Sequence, residues 1–152
     1  FSSLLHVSPP LRSKTDRHAL RQALQSGVVQ AISSHHQPHE QEAKRVPFAA
    51  SATGISSIEV LLPLAMTLVA DGLLELPALL SRLTCGPASA FGLPAGTLRL
   101  GAAADIVLFD PVAASLIGQN WISKGANCPF IGQGVPCKVT HTVFNGKLVY
   151  QA

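Results

Sequence analysis

Val28-Val29-Gln30-Ala31-Ile32-Ser33-Ser34-His35-His36-Gln37-Pro38-His39, with the polar loop that follows as far as Gly54, decides how this chain is read. Residues 28–32 form a short β-branched and apolar run after Gly27, the pattern of a buried strand. They lead straight into three of the six histidines. The cluster therefore stands at a strand's carboxyl end, the edge of parallel α/β architectures where side chains converge on ligands. Pro38 forbids a regular helix through it, so His35 and His39 are loop residues and not an i, i+4 pair on one helical face.

Upstream, Ser3-Leu4-Leu5-His6-Val7 reads as another short strand, ended by Ser8-Pro9-Pro10, where two prolines remove ladder donors. Thr15 is placed to cap a helix running to Ser26, with Leu20, Ala23 and Leu24 on one face and Gly27 just past its end. Strand, helix, strand is a βαβ unit, which predicts parallel pairing of residues 4–7 with residues 28–32. Downstream, Ser56 or Ser57 is expected to cap a helix carrying Ile58, Leu61, Leu62, Ala65, Leu68 and Val69, kinked at Pro63 and ended by Gly72. Leu76–Leu83 predicts a second helix with Pro77 in its first turn. Helical periodicity gives way to alternation near Gly92–Gly101, dividing the chain into residues 1–92 and 93–152. In the second part, Val139–Phe144 and Lys147–Tyr150 flank Asn145-Gly146, a strong hairpin signal because both turn positions want positive φ.

Composition narrows the possibilities. The chain has 152 residues, 47% of them apolar, enough for one ordinary core. Only 12% are charged, against roughly 25% in a typical soluble domain, so much of the surface is expected to be covered by other protein, in self-association or with a partner. The apolar run Val60–Ala70 is far shorter than the roughly 20 residues of a membrane span and reads as a core helix. No signal sequence is read at Phe1, and the chain looks like a piece of something longer. Cys85, Cys128 and Cys137 form no C-x-x-C pair and imply neither a disulfide framework nor a zinc knuckle, so reduced, cytoplasmic thiols are expected. The one dense basic run, Arg12, Lys14, Arg17 and Arg21, contains Asp16 and no aromatics, the pattern of a solvated helix face and not of a nucleic-acid surface.

Several segments together resemble one family. Ile32–His39, followed by Glu42-Ala43-Lys44 and Val46-Pro47-Phe48, is similar to the last barrel strand and loop of the dihydroorotases, cyclic-amide members of the amidohydrolase superfamily. Their pattern reads Thr-Asp-His-Ala-Pro-His, then Glu-Lys and Pro-Phe. Ser8-Pro9-Pro10-Leu11-Arg12 resembles their Asn-Pro-Pro-Leu-Arg after the seventh strand, and Ser51-Ala52-Thr53-Gly54-Ile55 their Ala-Pro-Phe-Gly-Ile. Leu83–Ala88 and Ala104–Asp110 resemble the segments that lead out of the barrel and return into a small β domain; Asn127-x-Pro129-Phe130-x-Gly132 continues the likeness.

The resemblance implies an α/β fragment, the last strands and helices of a (βα)8 barrel plus C-terminal strands of the small β domain, not a closed barrel by itself. Active members interconvert carbamoyl-aspartate and dihydroorotate with a zinc-bound hydroxide, whose other ligands lie on earlier strands. At the position of the family's ligating aspartate stands His35. Imidazole can bind zinc and accept a proton, but it brings no negative charge to balance the dication. Neighbours at 35 and 36 on an extended strand point to opposite faces, so only one of them could join His39, and two ligands do not close a zinc site. No metal or other cofactor is therefore expected on this chain. By the same alignment His39 overhangs the place of a substrate carboxylate, Gly54 faces the substrate with its backbone, and Ser8 either replaces the substrate-contacting asparagine or is a turn serine. These departures at the mouth, with the packing motifs kept, imply a catalytically silent homologue, of the kind that serves as a structural partner of aspartate carbamoyltransferase in pyrimidine synthesis. The alternative is part of an active zinc-dependent dihydroorotase.

Overall fold

A computed structural model describes residues 1–119 and 121–152. Four helices come first, α1 (Lys14–Gln25), α2 (Leu61–Ala70), α3 (Leu76–Leu83) and α4 (Cys85–Ala90). Strands β1 (Ile106–Asp110), β2 (Ser115–Leu116), β3 (Gly134–Val135), β4 (Lys138–Phe144) and β5 (Lys147–Gln151) follow. β1, β4 and β5 make one antiparallel sheet in that order, and β2 pairs with β3. No closed barrel exists among the described residues.

The hairpin forms where turn chemistry puts it. Phe144 pairs with Lys147, leaving Asn145 (φ 48°) and Gly146 (φ 76°) as a two-residue turn with both φ angles positive. Leu76–Leu83 is helical over the expected span with proline in its first turn, and Gly27 and Gly72 end α1 and α2 with positive φ. The cap of α1 is Ser13, not Thr15. Ser13 Oγ accepts from Asp16 N at 3.2 Å while the Asp16 carboxylate accepts from Ser13 N at 3.0 Å, a reciprocal capping box. α2 starts at Leu61 because the Ser57 hydroxyl donates to Ser34 O (2.7 Å) and caps nothing. Pro63 falls in the first turn of α2, where its missing N–H breaks no intrahelical bond, and the helix runs through without interruption.

The predicted parallel strand pair is not there. Ser3–Leu5 is a 3-10 turn, and residues 28–32 are joined to no ladder among the described residues. Their donors are spent elsewhere: Leu5 N on Ser2 O, His6 N on Ser3 O, Val29 N on Ala23 O and Ile32 N on Arg82 O. Parallel strands are stable where both faces of their sheet are covered, and among the described residues the one parallel bridge is His36 to Ile55.

α2 is the centre of the packing. One side joins Ala65 and Met66 to Leu74, Leu79 and Cys137, with Ile32 and Phe109 against them. On the other, Val60 packs with Ile117, Cys128 and Val135, flanked by Leu64, Trp121 and Phe130. Large apolar side chains stay exposed around this core, Val28, Phe91, Leu98, Leu100 and Val112 among them, as the scarcity of charge led us to expect. Among the described residues no helix is long and apolar enough to cross a membrane.

Candidate functional site

The histidine segment is a hub of bonds from side chain to backbone. His36 is half-buried, and its Nδ1 accepts from Ser57 N (3.0 Å) and Ile58 N (3.1 Å), which places its proton on Nε2 and ties the segment to the turn that begins α2. His39 Nε2 donates to Thr53 O at 3.0 Å, and His39 N donates to Asn127 Oδ1 at 2.8 Å. Asn127, fully buried, gives its Nδ2 to Gln37 O (2.9 Å) and Gly54 O (3.1 Å), so one amide joins both walls of the loop. Asn127 is part of the family likeness, yet its role is not legible in the sequence because its partners lie 73 to 90 residues away.

His35 differs from its neighbours. It is exposed, with φ +45°, and its ring has no hydrogen bond among the described residues; only its N–H is engaged, with Ser33 Oγ at 3.2 Å. A left-handed conformation is uncommon for a non-glycine residue and turns its side chain out of the run that positions His36. Gly54 is buried with φ +120°, and a Cβ there would lie 2.4 Å from Gln37 Cβ, so glycine is required. Its N–H donates to His6 O at 2.9 Å.

His35 and Gly54 line one cavity of about 450 Å³ with Val7, Pro9, Ile32 and Ile55. Ser8, between two of these residues, is exposed and its hydroxyl has no partner among the described residues; neither it nor His39 lines this cavity. The structure thus brings two of the four candidate residues together and places the other two at the rim and in the loop clasp.

Sequence reasoning also passed over Lys44, which is only 5% exposed. Its ammonium donates to His6 O (3.2 Å) and to Ala52 O, and burial lowers its pKa. A lysine side chain carries no signal of such burial. Zinc sites need three or four protein donors. Among the described residues no three His, Cys, Asp or Glu side chains come together in that way. Its three cysteines are free thiols; burial raises the pKa of Cys128, and burial with the nearby Asp110 charge pushes Cys137 up to about 11.

A sequence profile of the amidohydrolase family matches residues 6–149. The chain belongs to the amidohydrolase family. This amidohydrolase chain is 60% identical over 151 residues to a dihydroorotase-like protein of Pseudomonas aeruginosa, covering 99% of the chain and 36% of that protein. To a dihydroorotase of Syntrophus aciditrophicus it is 43% identical over 152 residues, again 99% of the chain and 36% of the relative. Among solved structures it superposes on a D-hydantoinase with a TM-score of 0.88 at 27% identity, covering 98% of the chain and 34% of that structure. The dihydropyrimidinase of Brevibacillus agri gives 0.84 at 29% identity, with the same coverage. The chain spans about a third of the length of these relatives, and over that third its fold is theirs.

Proposed function

We propose that this chain is the C-terminal portion of a dihydroorotase-like protein that is catalytically silent and serves as a structural partner of aspartate carbamoyltransferase in the cytoplasm. The observation that carries the reading is His35. At the position where the family's pattern has a ligating carboxylate stands an exposed imidazole on a left-handed backbone, its ring without a hydrogen bond among the described residues. Correct orientation of a metal ligand depends on such partners, and loss of the carboxylate removes the charge that balances a dication and its hydroxide. The greater identity to proteins called dihydroorotase-like than to those called dihydroorotase supports the same view. So does the exposed apolar surface, which offers area to a partner.

The competing reading, the C-terminal portion of an active zinc-dependent dihydroorotase, draws on the 43% identity to a dihydroorotase. The deciding assay is conversion of carbamoyl-aspartate to dihydroorotate, with added zinc, by the longest chain carrying these residues. Silence predicts no turnover by the wild type. His35→Asp alone is expected not to restore it, because one carboxylate recovers only its own contribution while Ser8 and Thr53 also depart from the family's mouth. Turnover by the wild type overturns the proposal; turnover by the variant alone makes His35 the single lesion.

A further inference from the structure

Lys44 pairs with no carboxylate among the described residues, although it is buried. A buried ammonium is costly unless hydrogen bonds replace its water, and here two main-chain carbonyls do so. His6 O takes both the Lys44 ammonium (3.2 Å) and the Gly54 N–H (2.9 Å), and it lies two residues before Ser8. The second acceptor, Ala52 O, lies two residues before Gly54, and Ala52 N donates back to Ala43 O at 3.1 Å. The Ser3 hydroxyl, in turn, donates to Lys44 O. The cation therefore bridges the segment leading to Ser8 and the loop carrying Gly54, which have no strand ladder between them.

We infer that Lys44 is a positioning residue of the mouth: through the carbonyls of His6 and Ala52 it fixes Gly54 against the segment that leads to Ser8, without touching a ligand itself. This rests on reading Ser8 and Gly54 as mouth residues and not on catalytic silence. Hydrogen bonds from a charged donor are roughly twice as strong as neutral ones and directional. An apolar side chain of the same length would fill the space but leave Ala52 O without its donor and His6 O with the Gly54 N–H alone.

The test is hydrogen exchange read by mass spectrometry on the longest chain carrying these residues, comparing wild type with Lys44→Met and Lys44→Gln. In Lys44→Met the amides of Ala52 and Gly54 are expected to exchange about tenfold faster or more, as two charge-assisted bonds are lost, while those of α2 and of β4–β5 keep their rates. Lys44→Gln, which retains a neutral donor, falls between. A pH series separates charge from packing. After correction for intrinsic exchange, protection at residue 54 in the wild type falls as the buried amine loses its proton, and in Lys44→Met it stays flat. The other ionisable side chain in this network is His6, whose Nδ1 meets Ser51 Oγ at 2.9 Å; Glu42 and Arg45 flank Lys44 from exposed positions on its own turn. His6→Asn carried through the same series removes the imidazole's share. Unchanged exchange at residues 52–54, or an equal rise across α2 and the hairpin, overturns the inference; the latter makes Lys44 a general structural residue. Should Lys44→Met fail to fold, Lys44→Gln and the wild-type pH series decide. Turnover of carbamoyl-aspartate by the wild type sinks catalytic silence and leaves this inference standing.

Discussion

The hairpin of β4 and β5 and the loop from His35 to Ser57 are both defined by hydrogen bonds, but by opposite kinds. In the hairpin each strand bonds its neighbour in sequence, main chain to main chain, across a two-residue turn. The loop has one bridge, His36 to Ile55, and a few isolated main-chain bonds such as Gly54 N to His6 O and Ala126 N to His39 O; side chains reaching across the chain supply the rest, Asn127 to Gln37 and Gly54, His36 to Ser57, and Lys44 to His6. Ladder geometry follows from local turn chemistry and tolerates change in the rest of the molecule. Geometry made of single long-range bonds loses a fixed position with each bond removed, so the loop is the more fragile region.

Two glycines put that contrast to the sharpest test. Gly54→Ala meets Gln37 Cβ at 2.4 Å and strains a φ of +120°, and we expect a loss of roughly 3–5 kcal/mol in denaturant unfolding. Adding Gln37→Gly relieves the clash and not the strain, so only part should return. At Gly146 in the hairpin turn an added Cβ meets nothing within 4 Å, and Gly146→Ala should cost only about 1 kcal/mol, from φ alone. Equal losses at the two sites would break the comparison.

Asn127→Ala comes next below Gly54→Ala, at about 2–4 kcal/mol, because His39 N, Gln37 O and Gly54 O all lose a buried partner. Its signature is local: faster exchange of the His39 amide, with the hairpin unchanged. Exchange that rises equally in β4 and β5 would show that the two regions are not separately held.

Cys137, buried between α2 and the strands, gives a pH effect of order 1–3 kcal/mol. Its pKa is raised to about 11 from an ordinary 9.0, so the folded state holds the thiol proton more tightly than the unfolded chain does. Stability from this group is fully present below pH 9.0 and is lost as pH rises towards about 11. Unfolding midpoints measured across that window should fall in the wild type and fall less in Cys137→Ala; identical slopes would remove the thiol as the cause. His36→Ala, expected to cost about 1–2 kcal/mol by leaving Ser57 N and Ile58 N without their shared acceptor, is among the smaller effects, with Gly146→Ala below it.

The sequence by itself determined what depends on neighbours along the chain. Asn145-Gly146 specified the hairpin because both residues accept positive φ; Pro77 and the glycines at 27 and 72 marked helix ends because proline and glycine limit or free the backbone wherever they stand. Family membership was legible through motifs of that kind. Tertiary structure alone decided the rest. Residues 4–7 and 28–32 carry strand composition, yet a parallel ladder depends on a paired strand and on cover over its faces, and composition cannot supply them. Nor could the sequence say that Asn127 and Lys44, two ordinary polar residues, are buried and bonded to main-chain carbonyls far along the chain. What a side chain bonds to is fixed by which carbonyls the folded chain brings within about 3 Å, and that distance exists only after the core around α2 has formed.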